Sequence, residues 1–234
     1  NTPRTANYML AVMRLVLKHA EALPNKFGMP SGWRMPGKWP TKLKTGEGRH
    51  KAWEEFQIAA FRQRWGPASR ERVAFELLIN TGQRGGDVVE MTRQQYTNGS
   101  ITLTQRKTGV RLEIPVAQDL KVVLDPWLKT HHHMVILTGE KGGPLGVDHF
   151  RHMMAGAYAT AGLEGVTTHG LRYTTATILS ELGCDWVTIS DITGHRTAEM
   201  ARKYSERRRR SRMTITRLDT VRRAQRSNKD RPKV

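Results

Sequence analysis

The sequence predicts a mostly α-helical chain with one small antiparallel β-sheet, an α+β architecture. Apolar residues recur three and four positions apart over several stretches, the period of helices that bury one face. A single region alternates apolar and polar residues instead, in two short runs around a turn. The 234 residues, 38% of them hydrophobic, suffice for one large or two small domains with a real core.

Taken in order, Met9, Leu10, Met13, Val16 and Leu17 fall on one face of a helix over Thr5–Leu23, with Thr5 as its candidate cap. From Pro24 to Gly48 the chain is rich in Gly, Pro and Lys without periodicity, which reads as a basic linker and a domain boundary. Helices follow over Ala52–Trp65 and Ser69–Asn80, the second with Val73, Leu77 and Leu78 inward, and Thr81-Gly82 ends it before a short helix near Arg84. Ile101 and Leu103 alternate with threonines, and Leu112, Ile114 and Val116 with polar residues. Lys107-Thr108-Gly109 between them makes a hairpin with Lys107 near its tip. Helical patterns return over Gln118–Lys129, Val147–Ala161, Thr168–Leu182 and Thr197–Ser205. In the third of these, Leu171, Thr175, Ile178, Leu179 and Leu182 mark the apolar face. The Gly183 turn after it resembles a helix-turn-helix and serves to place Gly194-His195.

Composition narrows the function. Thirty-nine Lys+Arg against 21 Asp+Glu give a net charge of +18, and the isoelectric point near 10.7 points to a polyanion, most economically nucleic acid. From Glu206 onward, 12 basic and 3 acidic residues supply +9, half of that excess. Met213, Ile215, Leu218 and Val221 mark an apolar stripe on a short helix there. One cysteine, Cys184, excludes an internal disulfide and fits a reducing cytoplasm, and no apolar run reaches membrane-spanning length. His131-His132-His133 is an exposed loop, since three consecutive histidines cannot all face one ion from regular structure.

The chemistry lies in a set of residues. His169 and Arg172, three apart at a helix start, reach one phosphate together. Thr81-Gly82-Gln83-Arg84-Gly85-Gly86-Asp87 precedes them, then Lys107 on the hairpin; Gly194-His195 follows, and Tyr204 stands nine residues beyond His195. A phosphodiester under attack gains negative charge, so breaking one needs fixed cations, a proton acceptor and a proton donor. Arginine, histidine, lysine and tyrosine supply these without a metal, and there is no GxxxxGK[ST] loop for ATP.

This order and spacing resemble the tyrosine recombinase family, the phage-type integrases, over roughly Lys51 to Glu206. The resemblance implies that family's catalytic-domain fold and a site-specific DNA recombinase working through a covalent 3′-phosphotyrosyl intermediate, independent of metal and ATP. It implies that Arg84 and Arg172 clamp the scissile phosphate, and that His195 hydrogen-bonds a non-bridging oxygen. His169 is then the general base, Lys107 the general acid toward the 5′ oxygen, Tyr204 the nucleophile and Asp87 the carboxylate that steadies the clamp. Thr193 stands where a leucine is common and Tyr173 where a basic or small polar residue is frequent; neither is a catalytic position.

The implied organisation is the C-terminal helix of a truncated core-binding domain over 1–28, a basic linker over 29–50, the catalytic domain over 51–206 and a basic tail with a short helix over 207–234. The chain opens at Asn1 inside a helical pattern, so an upstream region is expected. Implied partners are double-stranded DNA at attachment or core sites, copies of the chain in a tetrameric synapse, and an accessory directionality factor. The implied setting is the cytoplasm of a bacterium, with the gene bacterial or phage-borne. The alternatives are strand cleavage of the type IB topoisomerase kind and a DNA-binding directionality factor without catalysis.

Overall fold

A computed structural model describes residues 2–44, 51–139 and 142–195. The segments predicted as a helix over Thr197–Ser205 and as a basic tail, with Tyr204 among them, lie outside the described residues. The chain divides into two compact units, Asn1–Arg49 and His50–Val234.

In the first unit, α1 (Pro3–Ala22) starts one turn ahead of the expected cap. Thr2 is the N-cap, accepting from the Thr5 amide at 3.3 Å, and Pro3 stands at N1, where the missing N–H costs nothing. The segment read as a linker runs back along this helix. Both polar atoms of the Asn7 amide meet the backbone of Leu43 at 2.8 Å, and the Arg14 guanidinium lies over the Trp39 ring. Met9, Met13 and Val16 of the apolar face are exposed.

The second unit is built around α3 (Arg70–Thr81), whose residues from Val73 to Ile79 are all buried. α2 (Glu55–Arg64) packs beside it through a stacked pair, Phe61 and Phe75, with ring centroids 4.4 Å apart. α2 begins later than its predicted start at Ala52. Trp53 stays extended, its amide donating to Thr174 Oγ1 at 2.8 Å and its indole N–H to the Thr167 carbonyl at 3.0 Å. These bonds belong to α7 (Thr168–Glu181), so the chain enters this unit tied to the helix that carries His169 and Arg172. The approach is close enough that a Cβ on Gly170 would lie 2.5 Å from the Lys51 carbonyl oxygen.

α4 (Gly85–Val89) follows α3, and then a sheet with one strand more than expected. β1 (Tyr96–Thr97) turns into β2 (Ser100–Thr104) through Asn98-Gly99, both at positive φ, and β2 pairs antiparallel with β3 (Arg111–Pro115). The register sets Ile101 against Ile114 and Leu103 against Leu112, all four buried, so one face of the sheet closes the core. α5 (Gln118–Thr130), α6 (Val147–Thr160), α7 and α8 (Trp186–Thr193) complete the unit. His131 caps the end of α5, stacked on Trp127. Among the described residues no helix is long and apolar enough to cross a membrane.

The inward face of α7 matches the predicted one only in part. Leu171 and Thr175 are buried as expected, but Ile178 and Leu182 are 41% and 75% exposed, and Arg172, Thr174, Thr177 and Ser180 are buried in addition. Threonines satisfy this face by donating to carbonyls, Thr174 to Gly170 and Thr175 to Ile79 and Leu171. α7 is thus turned so that its polar side lines the site.

A buried carboxylate holds α2 to α3. Glu76, fully buried, accepts from Arg62 through two nitrogens at 2.9 Å each, from Arg72 at 2.7 Å and from Asn80 at 2.9 Å. Removing one partner of a buried ion pair strands the others' charge, at a cost of about 3–5 kcal/mol. Glu76→Ala is therefore expected to lower urea-unfolding stability by about 3 kcal/mol; a loss under about 1 kcal/mol would show that the network is not what joins these helices.

Candidate active site

The loop that leaves α3 builds the site. α3 ends at Gly82 in the left-handed region (φ 62°), where a side chain is strained; a Cβ there would also lie 3.1 Å from both Thr175 and Thr193. The tight turn aims the Gly82 carbonyl at α7, where it accepts from Arg172 Nη1 at 2.6 Å. Arg172 is only 2% exposed, one turn into α7 from the Thr167 N-cap. Two residues after Gly82, Arg84 donates from Nη1 to Gln105 Oε1 at 2.9 Å. One short loop thus supplies one arginine and fixes the other.

Asp87, on the first turn of α4, lies 3.8 Å from Arg84 through Oδ2 and accepts the Arg106 amide through Oδ1 at 3.0 Å. It links the clamp to the start of the β2–β3 turn. Lys107 is exposed on that turn, between Arg106, which pairs with Glu90, and Thr108, which donates to Gln105 Oε1 at 2.6 Å. His169 sits in the first turn of α7, half-buried, its ring edge-on to Tyr173.

His195 arrives from α8. Asp185 caps that helix, accepting from the Thr188 amide, and Gly194 ends it at φ 70°. Burial, then the charges of Arg172, Arg84 and His169, push the His195 imidazole from its ordinary 6.5 down to about 3. Both arginines of the expected clamp, and His169, therefore bear on one ring. The structure brings Arg84, Asp87, His169, Arg172 and His195 together, holds Lys107 on the adjoining turn, and leaves Tyr204 outside the described residues.

The tautomer of His195 follows from its neighbour. Thr193 Oγ1 lies 2.6 Å from the Ile189 carbonyl, which can only accept, so the hydroxyl proton is committed there. The same oxygen is 2.6 Å from His195 Nδ1 and must accept from it. The neutral ring then carries its proton on Nδ1, and Nε2 is the basic nitrogen.

The sequence reading missed Gln83, Gln105 and Thr193 as site residues. Gln105 is fully buried directly ahead of Arg106-Lys107, and no local pattern in the sequence pointed to it.

With this geometry in place, comparison with known proteins assigns the chain. The sequence model of the phage integrase family matches residues 54–210. The chain belongs to the phage integrase family. This integrase-family chain is 30% identical to the integrase of Escherichia phage lambda over 148 residues, 58% of the chain and 41% of that protein. It is 27% identical to tyrosine recombinase XerC of Rhodospirillum centenum over 144 residues, 58% of the chain and 42% of that protein. It spans less than half the length of these curated relatives. A solved lambda integrase dimer bound to a COC′ core site aligns with a TM-score of 0.61 at 26% identity, covering 72% of this chain and 51% of that one. XerA recombinase, at 18% identity, shares the fold, with a TM-score of 0.63 over 92% of this chain and 83% of its own. The mostly helical architecture with a small antiparallel sheet is the one expected.

Between about pH 3 and 6.5 the unfolded chain holds a proton on His195 that the folded chain lacks, so acid favours unfolding across that window. In the free protein, the ¹⁵N shifts of this ring are expected to show a protonated Nδ1 and no titration from pH 7.5 to 5. A midpoint near 6.5, or a protonated Nε2 with a bare Nδ1, would overturn the assignment.

Proposed function

We propose that the chain is the strand-transferring part of a site-specific DNA recombinase. Tyr204 Oη attacks the scissile phosphorus, forming a 3′-phosphotyrosyl bond as the bond from phosphorus to the 5′ oxygen breaks. The phenolic proton passes to His169, and Lys107 gives a proton to the departing 5′ oxygen. Attack by that 5′ hydroxyl of a partner strand reverses the steps and releases the tyrosine, so the phosphodiester energy is kept and neither ATP nor a metal is required. Arg84 and Arg172 take the non-bridging oxygens, and their planar forks are the reason that both are arginine. His195 binds a non-bridging oxygen through Nε2, which requires a second proton on the ring. The arriving phosphate favours that proton because its charge offsets the arginines that hold the free ring neutral.

The observation that carries this reading is the convergence of Arg84, His169 and Arg172 on His195, with both arginines set by the Gly82–Arg84 loop. Family membership and the +18 charge support it. On the same reading the substrate is double-stranded DNA at attachment or core sites, and copies of the chain assemble into a tetrameric synapse with an accessory directionality factor, in the cytoplasm. The solved lambda integrase tetramer on a Holliday junction supports the assembly, at 25% identity and a TM-score of 0.59. On the same reading 1–28 is the end of a core-binding domain, 29–50 its linker, and 211–225, outside the described residues, the segment that docks on a neighbouring protomer.

The test uses a nicked duplex built from the sequences flanking the element that encodes the chain. The wild type is expected to leave a covalent adduct on a denaturing gel, and Tyr204→Phe to bind equally and leave none. An undiminished adduct from Tyr204→Phe would remove the nucleophile from this scheme. Arg84→Lys and Arg172→Lys are each expected to slow cleavage by on the order of 10²-fold with little change in DNA affinity, because many other cations carry binding. Near-normal cleavage by either would refute the clamp.

A further inference from the structure

Gln105 joins the β2–β3 turn to three other parts of the site. Its backbone closes the β2–β3 turn, with the amide donating to Val110 at 2.9 Å and the carbonyl accepting from Gly109 at 2.8 Å. Its side-chain Nε2 donates to Gln83 Oε1 at 2.6 Å and to the Thr193 carbonyl at 2.8 Å, while Oε1 accepts from Arg84 and Thr108. Both amide protons and both lone pairs are used, inside a fully buried residue.

The orientation of that amide is dictated from outside. Gln83 Nε2 faces two backbone carbonyls, Thr81 and Ile192, at 2.9 Å each, and carbonyls only accept. Gln83 must therefore turn its Oε1 toward Gln105, which must answer with Nε2, and this leaves Oε1 for Arg84. A flip of either amide would set oxygen against oxygen. Gly194 leaves room for this arrangement, since a Cβ there would stand 2.4 Å from Gln105 Nε2.

We infer that Gln105 is a positioning residue: its amide sets Arg84, the Lys107 turn and the Thr193–His195 segment in one mutual geometry. The inference rests on the recombinase reading for the reaction it serves. Gln105 touches no substrate, and DNA affinity comes from many cations elsewhere, so its loss falls on the rate of cleavage rather than on binding. Misplacement of reacting groups by about 1 Å costs on the order of 10²-fold.

The experiment compares the wild-type chain with Gln105→Leu, which keeps the volume and loses every side-chain hydrogen bond, and Gln105→Asn, which keeps the amide one carbon short of its partners. Single-turnover cleavage of the nicked flanking-sequence duplex is measured at saturating protein, beside duplex affinity and melting temperature. A second duplex carries sulfur in place of the bridging 5′ oxygen, and sulfur departs without needing a proton. Both variants are expected to cleave the ordinary duplex at least tenfold slower with affinity within threefold. The sulfur duplex is expected to recover the part of the loss that belongs to Lys107 and leave the part that belongs to Arg84. If Leu is too destabilising to purify, Asn alone decides. Cleavage by a folded variant within threefold of the wild type would overturn the inference, and so would a loss that follows affinity or melting temperature. A wild-type chain that cleaves neither duplex would overturn the recombinase reading and the inference with it.

Discussion

A guanidinium that is 2% exposed is the constraint around which this domain is arranged. A charge removed from water must be met by fixed dipoles or it destabilises the fold. Arg172 is met at the C-terminal end of α3, where helix carbonyls present partial negative charge and Gly82, beyond the last turn, supplies one directly. The positive φ of Gly82 aims that carbonyl. The strongly buried character of α3 follows as well, since the helix must be rigid at the end where it carries this load.

The same arrangement explains why the site is assembled from distant segments. Arg84 leaves the loop that fixes Arg172, the β2–β3 turn is joined to that loop by Asp87 and Gln105, and α8 is joined to it through Gln83 and Thr193. In the free protein the basicity of His195 is depressed first by burial and then by charge repulsion from Arg172, Arg84 and His169. A phosphate relieves that repulsion. On the proposed reading, the electrostatic work of preparing for a negative transition state is done during folding, as preorganised catalysis requires.

Much of this was legible in the sequence. The helices over Ser69–Asn80 and Val147–Ala161 carried clean periodicity, and the β2–β3 hairpin carried period-two alternation. The clustering of Arg84, His169, Arg172 and His195 was legible through the resemblance to the tyrosine recombinase family that their order and spacing carry. What was not legible depended on partners far along the chain. The inward face of α7 looked apolar by pattern, yet Ile178 and Leu182 are exposed and threonines share the face with Leu171, Thr175 pairing with the Ile79 carbonyl of α3. Ala52 and Trp53 fitted the helical period but lie ahead of the helix, Trp53 being held by Thr167 and Thr174. β1 is two residues long, too short for periodicity, although Asn98-Gly99 marked its turn. Gln105 belongs to no local pattern, since four separate segments use its amide.

The most direct measurement is a crystal structure of the full chain on duplex DNA with orthovanadate in place of the scissile phosphoryl group. The expected result is a trigonal-bipyramidal vanadate with Arg84 and Arg172 on its equatorial oxygens, and with the Gly82–Arg84 backbone within about 1 Å of its position here, the scale on which misplacement costs rate. A vanadate held by other side chains, or a loop that must rebuild before either arginine reaches it, would contradict a clamp formed by folding.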